Sequence, residues 1–321
     1  MDALSDVLRA VRLTGAVFFD VEASVPWVAE SPPGPTIVGS IFPGAGHLMS
    51  YHVVTHGTAW ASVDGEPPIR LSAGDIVVFP HGDPHVMASA PGLREPPDLS
   101  LFRRPPDRHL PFALSMGETR AEGAHIVCGF LGCDAQPFNP LLAALPRVIR
   151  VSDPEGGTIG PLARFAAAES KAPRIGGECV LGRLSELMFV DVVRRYLESL
   201  PAGQAGWLAA LREPFVGRAI TAMHANPARA WTLDLLARDV GLSRSALAER
   251  FTHVVGQPPM QYLTNWRMQL AASQLLGGAD GVAAIAERVG YESEAAFSRA
   301  FKKAVGTAPG QWRKQRRGAA A

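Results

Sequence analysis

The side chains best suited to chemistry in this chain fall into two groups. The first mixes basic residues with small and acidic ones: Arg244, Ser245, Ala246, Ala248, Glu249 and Arg250 in one stretch, and Glu294, Ala295, Ala296, Ser298, Arg299, Lys302 and Lys303 in another. Each stretch surrounds two apolar residues four apart, Leu247 with Phe251 and Phe297 with Phe301. Such pairs share one helix face, so they anchor the helix inward and turn the polar residues outward. An outward Arg can grip a guanine edge with two hydrogen bonds, worth about 1–3 kcal/mol of discrimination, and Glu can accept from cytosine N4. Arg250, Lys302 and Lys303 suit phosphates, which set position and affinity but not sequence. Arg313, Lys314, Arg316 and Arg317 add a basic tail that suits a phosphate contact or a solvated end.

The second group is imidazole and thiol: His52, His85, Cys128 and Cys133, with His81 as a spare. Together they suit Zn²⁺ in tetrahedral geometry. Strand alternation puts His52 and His56 on one face. The same residues also suit packed core positions and a loop, and both readings stand open at this point. The thiols would sense an oxidant only as accessible thiolates.

The elements that position the first group come in duplicate, about 50 residues apart. One copy reads Ala237-Arg-Asp-Val-Gly241-Leu-Ser243, then Leu247, Phe251, Gly256-Gln-Pro-Pro259 and Tyr262. The other reads Ala286-Glu-Arg-Val-Gly290-Tyr-Glu-Ser293, then Phe297, Phe301, Gly306-Thr-Ala-Pro309 and Trp312. A short helix, a turn with Gly and a Ser-capped second helix make a helix-turn-helix. Two in tandem imply a reader of successive major-groove segments in double-stranded DNA. A helix from about Pro259 to Leu276 joins them, roughly 25 Å long at 1.5 Å per residue. Groove segments one turn apart are roughly 34 Å centre to centre, a gap that bent DNA closes.

The charge distribution agrees. The net charge of +1 hides 15 Lys+Arg against 8 Asp+Glu from Arg212 onward, and 16 against 22 in the 211 residues before it. A basic half suits a polyanion. The absence of a leading signal and of any long apolar run predicts a soluble, cytoplasmic protein with no membrane association. Three cysteines make no disulfide framework.

The rest of the chain is organised differently. Residues 1–150 carry short β-type runs between Pro and Gly turns: 50–55, 59–63, 76–79 and 125–128, with Asp64-Gly65 as a hairpin turn. That pattern predicts a small β-barrel or jelly roll. Residues 151–205 form a helical connector and linker, with two helices broken by Pro173 and Gly176-Gly177 and apolar enough either to dimerise the chain or to close the open end of the barrel. Residues 206–321 read as all-α, with the two units at about 232–256 and 282–306. The fold class is therefore α+β.

Two resemblances carry these expectations further. Residues from about 212 to 317, through Trp231-Thr-Leu-Asp-Leu-Leu-Ala237, Gly256-Gln-Pro-Pro-Met-Gln-Tyr-Leu263, Trp266-Arg267-Met268 and Phe301-Lys-Lys-Ala-Val-Gly306, resemble the DNA-binding domain of the AraC/XylS transcription regulators. The resemblance implies seven helices, two recognition helices and an action on RNA polymerase, by recruitment or repression. The family often has Arg two residues before the anchoring aromatic; Arg299 matches, whereas Glu249 departs. Gly74-Asp-Ile-Val-Val-Phe-Pro80-His-Gly82-Asp-Pro-His85 resembles the second cupin motif, whose His is a ligand in metal-binding cupins. The first cupin motif, two His followed by Glu, is missing, which argues against an iron oxygenase. The first 150 residues look like the cupin-type sensor that precedes such DNA-binding domains. The expectation is a homodimeric, sequence-specific transcriptional regulator, not an enzyme, whose cupin-like domain senses a small molecule, metal or oxidant; the competing expectation is a cupin-type metal-dependent enzyme with an accessory helical domain. Tyr51, Trp60, Phe79 and His85 are candidates to line an effector cavity.

Overall fold

The computed structural model describes residues 2–103, 110–117, 123–152, 157–172, 174–201 and 203–318. Pro173, expected to break a helix, lies outside the described residues, as does the side chain of Arg317 in the basic tail. The chain begins with α1 (Ala3–Ala10), β1 (Thr14–Ser24), β2 (Val28–Ser31), α2 (Gly34–Ile41), β3 (His47–His56), β4 (Thr58–Val63), β5 (Ile69–Ser72), β6 (Asp75–Phe79) and β7 (His85–Ala88). It continues through β8 (Phe112–Met116), β9 (Gly123–Cys133), α3 (Pro140–Ala144), β10 (Ile149–Ser152), α4 (Ile159–Lys171) and α5 (Gly177–Ser199). The last third is helical: α6 (Trp207–Ala210), α7 (Pro214–Ala225), α8 (Leu233–Val240), α9 (Arg244–Val255), α10 (Pro259–Gly277), α11 (Val282–Arg288), α12 (Glu294–Val305) and α13 (Pro309–Gly318). From α7 to α13 there are the seven helices that the resemblance implied.

These elements form two compact units. The sheet unit holds Leu13–Cys133 and Leu145–Glu198. It contains a six-stranded sheet in the order β10-β6-β3-β9-β1-β8 and a four-stranded sheet in the order β2-β7-β4-β5. All pairings are antiparallel except β1 with β8. Alternate residues from both sheets meet in one apolar core, including Phe19, Val21, Leu71, Met87, Ile126 and Phe130. The turn at Asp64-Gly65 joins β4 to β5 as expected, with Gly65 at φ +86°.

The sheet's other face is covered by α4 and α5. Val17 and Val127 pack with Ala166, Ala167 and Leu181. Tyr51 Oη and Ser185 Oγ share a hydrogen bond of 2.6 Å there. Gly129 admits this packing: a Cβ would overlap the Ala16 carbonyl and the Tyr51 ring. The two helices expected between residues 161 and 199 thus fold with the sheet rather than standing apart as a connector.

The helical unit gathers the chain up to Arg12, Asp134–Ala144 and everything from Ser199. Here the spatial division departs from the linear one of 1–150, 151–205 and 206–321. The reason is an apolar stripe on α1: Ala3, Leu4, Val7 and Ala10 are buried against α7 and α10. Gln269, fully buried on α10, donates from Nε2 to the Ala10 carbonyl (2.9 Å) and accepts at Oε1 from the Phe138 N–H (3.0 Å). Arg12 grips Asp134 with two bonds of 2.7 and 3.0 Å, tying the two inserted segments together.

Candidate functional site

The two expected reader helices exist, and they are built alike. Gly241 takes the left-handed conformation (φ +78°) that ends α8, its N–H bonding the Arg238 carbonyl and that of Leu242 the Ala237 carbonyl. Gly290 repeats this at φ +83°, with the N–H of Gly290 on the Glu287 carbonyl and that of Tyr291 on the Ala286 carbonyl. Glycine adopts such a φ without strain. Ser243 and Ser293 then cap α9 and α12, their side chains accepting from the N–H of Ala246 and Ala296 at 3.2 Å each. Leu247, Phe251, Phe297 and Phe301 are completely buried, as the spacing predicted.

That burial fixes the outward faces. Arg244, Ser245, Glu249, Arg250, Glu294, Ala295, Arg299, Lys302 and Lys303 are exposed; Ala246, Ala248, Ala296 and Ser298 are half-buried. Arg250 is partly engaged by its own unit, 3.6 Å from Glu213 and 5.0 Å over the Phe215 ring. Arg244 lies 3.8 Å from Asp234. Arg313 is a correction: rather than a free phosphate contact, it donates to the carbonyls of Leu275 and Asp280 at 3.1 and 2.5 Å and ties α13 to the end of α10.

The joining helix α10 has 19 residues, about 28 Å at 1.5 Å per residue. Its first half is held by a polar cluster that spacing alone did not disclose. The His224 ring stacks on Trp266 at 3.9 Å, and its Nε2 shares a 2.8 Å hydrogen bond with Tyr262 Oη. Trp207 Nε1 donates to the same oxygen at 2.8 Å. Burial pushes His224 down to about 3, so it is neutral at any ordinary pH. Its Nδ1 has no hydrogen-bond partner, the nearest carboxylate, of Asp6, being 3.9 Å away. The wide spacing of Trp207, His224 and Tyr262 along the chain left this cluster without a local signal.

In the sheet unit the imidazole and thiol group separates. His52 and His85 do meet, Nε2 to Nε2 at 2.8 Å, linking the two sheets. Cys128 lies directly across from His52 in the β3–β9 register. Cys133, five residues further along β9, faces the other side, opposite His47. His56 also leaves the His52 face, because a bulge at Thr55 shifts the register so that His56 opposes His125. His81 donates to the Leu145 carbonyl at 2.9 Å.

The four expected zinc ligands therefore do not converge. Among the described residues no group of three or more His, Cys, Asp or Glu side chains is placed to hold a metal, and the two imidazoles point at each other rather than at a shared centre. Nor do the thiols form a redox pair. Five strand residues separate their Cα atoms by about 17 Å, against roughly 4.4–6.8 Å for a disulfide. Burial also raises Cys128 far above the ordinary thiol range, which suppresses the reactive thiolate.

What the sheet unit does offer is a cavity of about 250 Å³. Phe19, Trp27, His52, Met87, Cys128 and Phe130 are among its walls. None of the side chains expected to line it, Tyr51, Trp60, Phe79 and His85, is among its described walls. Tyr51 faces α5, Phe79 stacks behind His85 at 3.8 Å, and Trp60 points out of the core on β4.

Comparison with known proteins fits this architecture. The cupin family profile matches residues 2–198 and a helix-turn-helix domain profile matches residues 236–315. The chain is 32% identical to an AraC-like transcription regulator of Streptomyces lividans over 98% of both chains. It is 28% identical to the HTH-type transcriptional regulator AlkR of Acinetobacter baylyi, covering 98% of this chain and 100% of that one. Among solved structures, the C-terminal domain of AraT, a response regulator from Geobacillus stearothermophilus, is 35% identical over 32% of this chain and 85% of its own, with a TM-score of 0.31. These relatives are regulators rather than enzymes. The chain belongs to the AraC-like family of DNA-binding transcription regulators, with a cupin domain ahead of its helix-turn-helix domain.

Proposed function

We propose that α9 and α12 read two successive major-groove segments of one operator, and that an effector in the cupin cavity controls this reading. One observation carries the first part: two helices with the same cap, buried anchors at the same positions and the same outward positions, joined by one continuous helix. Arg299 reads a base edge in the second segment, and Ser245 and Glu249 face the first. Lys302 and Lys303 bind phosphate.

The effector arm rests on chain connectivity. β1 and β9 both border the cavity, and each runs straight into a segment of the helical unit, α1 on one side and residues 134–144 on the other. Both segments end on Gln269 of α10. A ligand that shifts β1 against β9 therefore alters the helix that sets the spacing of the two readers. The separated thiols favour a small molecule over an oxidant. Phe165 on α4 and Val180 and Leu187 on α5 are exposed apolar residues, the last two seven apart and so on one helix face, which supports pairing of two copies through these helices. RNA polymerase is the further partner, and the cytoplasm the compartment; no described helix is long and apolar enough to cross a membrane.

The test is to sequence genomic fragments retained by the purified full chain, then titrate the best fragment and a scrambled one at 50 and 200 mM salt. The proposal expects sequence preference at both salts with affinity falling steeply as phosphate-bound counterions are released. Equal affinity for both fragments at both salts refutes it.

A further inference from the structure

The hydrogen bonds that run from His52, one of the cavity walls, to His85 and on to Asp83 fix the protonation of two histidines. His85 Nδ1 lies 2.9 Å from the Asp83 carbonyl, which can only accept, so Nδ1 carries the proton. Burial lowers His85 to about 4, so the ring is neutral and its Nε2 is a bare acceptor. The 2.8 Å bond from His52 Nε2 must then be donated by His52. Burial holds His52 neutral as well, by lowering it well below the ordinary histidine range. Its proton is therefore spent on His85, and Nδ1 is left as a lone-pair acceptor. That atom is buried and has no hydrogen-bond partner. A buried polar atom without a partner is costly, and a ligand that completes it gains what the apo protein lacks.

The rest of the cavity narrows the ligand further. At about 250 Å³ it equals roughly eight water volumes, near ten heavy atoms of ligand. Its walls are chiefly aromatic and aliphatic, and no Lys or Arg is present among the described lining residues. The charges at its border are carboxylates, Glu30, Glu95 and Asp98, of which Glu30 is held by Arg94 at 2.6 Å. Among the described lining residues an anion would meet carboxylates and no Lys or Arg, and the one cation at the border, Arg94, is already committed to Glu30 and Asp64.

We propose that this cavity binds an uncharged, mostly apolar molecule of about ten heavy atoms with one hydroxyl or N–H group, which it donates to His52 Nδ1. The inference rests on reading the cavity as the effector pocket and supplies the chemistry of the effector. In it, His52 selects and His85 acts as a positioning residue that sets the tautomer.

The experiment uses the full chain with ¹⁵N-labelled histidine and three matched probes: 4-ethylphenol, ethylbenzene and 4-ethylbenzoate. Calorimetry is expected to give the phenol about a tenfold advantage over ethylbenzene, the worth of one hydrogen bond in a dry site, and at least that over the benzoate. His52→Phe should erase the preference for the phenol. In the unsubstituted protein the His52 Nδ1 resonance should move with the phenol and stay put with ethylbenzene, which decides the matter even if the variant fails to fold. Equal binding of phenol and ethylbenzene, an unmoved resonance at saturation, or tighter binding of the benzoate overturns the inference while leaving the pocket in place. No binding of any probe at its solubility limit overturns the pocket reading itself.

Discussion

Acid should loosen the DNA-reading unit through one residue, His224. Its ring is fully buried and held neutral with a value near 3 by desolvation. In the unfolded chain the same ring titrates at about 6.5. Below that value the unfolded state binds a proton that the folded state refuses, so stability is intact above pH 6.5 and falls as pH drops toward 3. Between pH 7 and pH 5 the linkage amounts to about 2 kcal/mol for this single group, a large part of a typical domain's margin. The perturbation is His224→Phe, which keeps a ring against Trp266 and removes the titration. It also removes the bond to Tyr262 and should cost about 1 kcal/mol at pH 7. Urea unfolding followed by tryptophan fluorescence reports chiefly on this unit, since Trp207, Trp231, Trp266 and Trp312 lie in it. The unsubstituted chain should lose about 2 kcal/mol more than the variant on going from pH 7 to pH 5. An identical loss in both would refute the assignment of a neutral, buried His224.

Three further outcomes follow from named contacts. Arg299→Ala should lower affinity for the operator about 5- to 150-fold, the span of about 1–3 kcal/mol for a lost base contact, while leaving scrambled DNA nearly unaffected; replacing Lys302 and Lys303 with Ala should weaken both alike, and anisotropy titrations with the two duplexes separate the cases. Gln269→Ala orphans the Ala10 carbonyl and the Phe138 N–H, at about 1–3 kcal/mol per buried group, and should expose α1 to proteolysis ahead of the rest of the helical unit. Gly129→Ala drives a methyl into the Ala16 carbonyl and the Tyr51 ring, so thermal unfolding should report a sheet unit weakened by about 1–3 kcal/mol, whereas Gly277→Ala, with open space around it, should not.

The reader helices were legible in the sequence because their determinants are local. Leu247 with Phe251, Phe297 with Phe301, the two Gly turns and the two Ser caps each act within a few residues, and repetition at one spacing removed the ambiguity of a single copy. The strands at 50–55, 59–63, 76–79 and 125–128 were legible for the same reason. What alternation could not supply was register. A single bulge at Thr55 separated His56 from His52, and an odd count along β9 separated Cys133 from Cys128, so a ligand set that looked compact in one dimension came apart in three. The clasp on Gln269 was hidden for a different reason: its partners, Ala10 and Phe138, are remote in the chain, and an eight-residue amphipathic helix gives no sign of which surface it will cover. Arg313 shows the converse, a residue whose charge suggested DNA but whose donors are committed to backbone carbonyls.

If one molecule reads DNA at two places with two equivalent helices, it should leave two separable marks on its operator. Hydroxyl-radical footprinting of the selected operator tests this directly. Two protected windows centred about 10–10.5 base pairs apart are expected, with Glu249→Ala and Ser245→Ala altering only the first and Arg299→Ala only the second. A single window, or two windows that neither set of substitutions changes, would contradict that expectation.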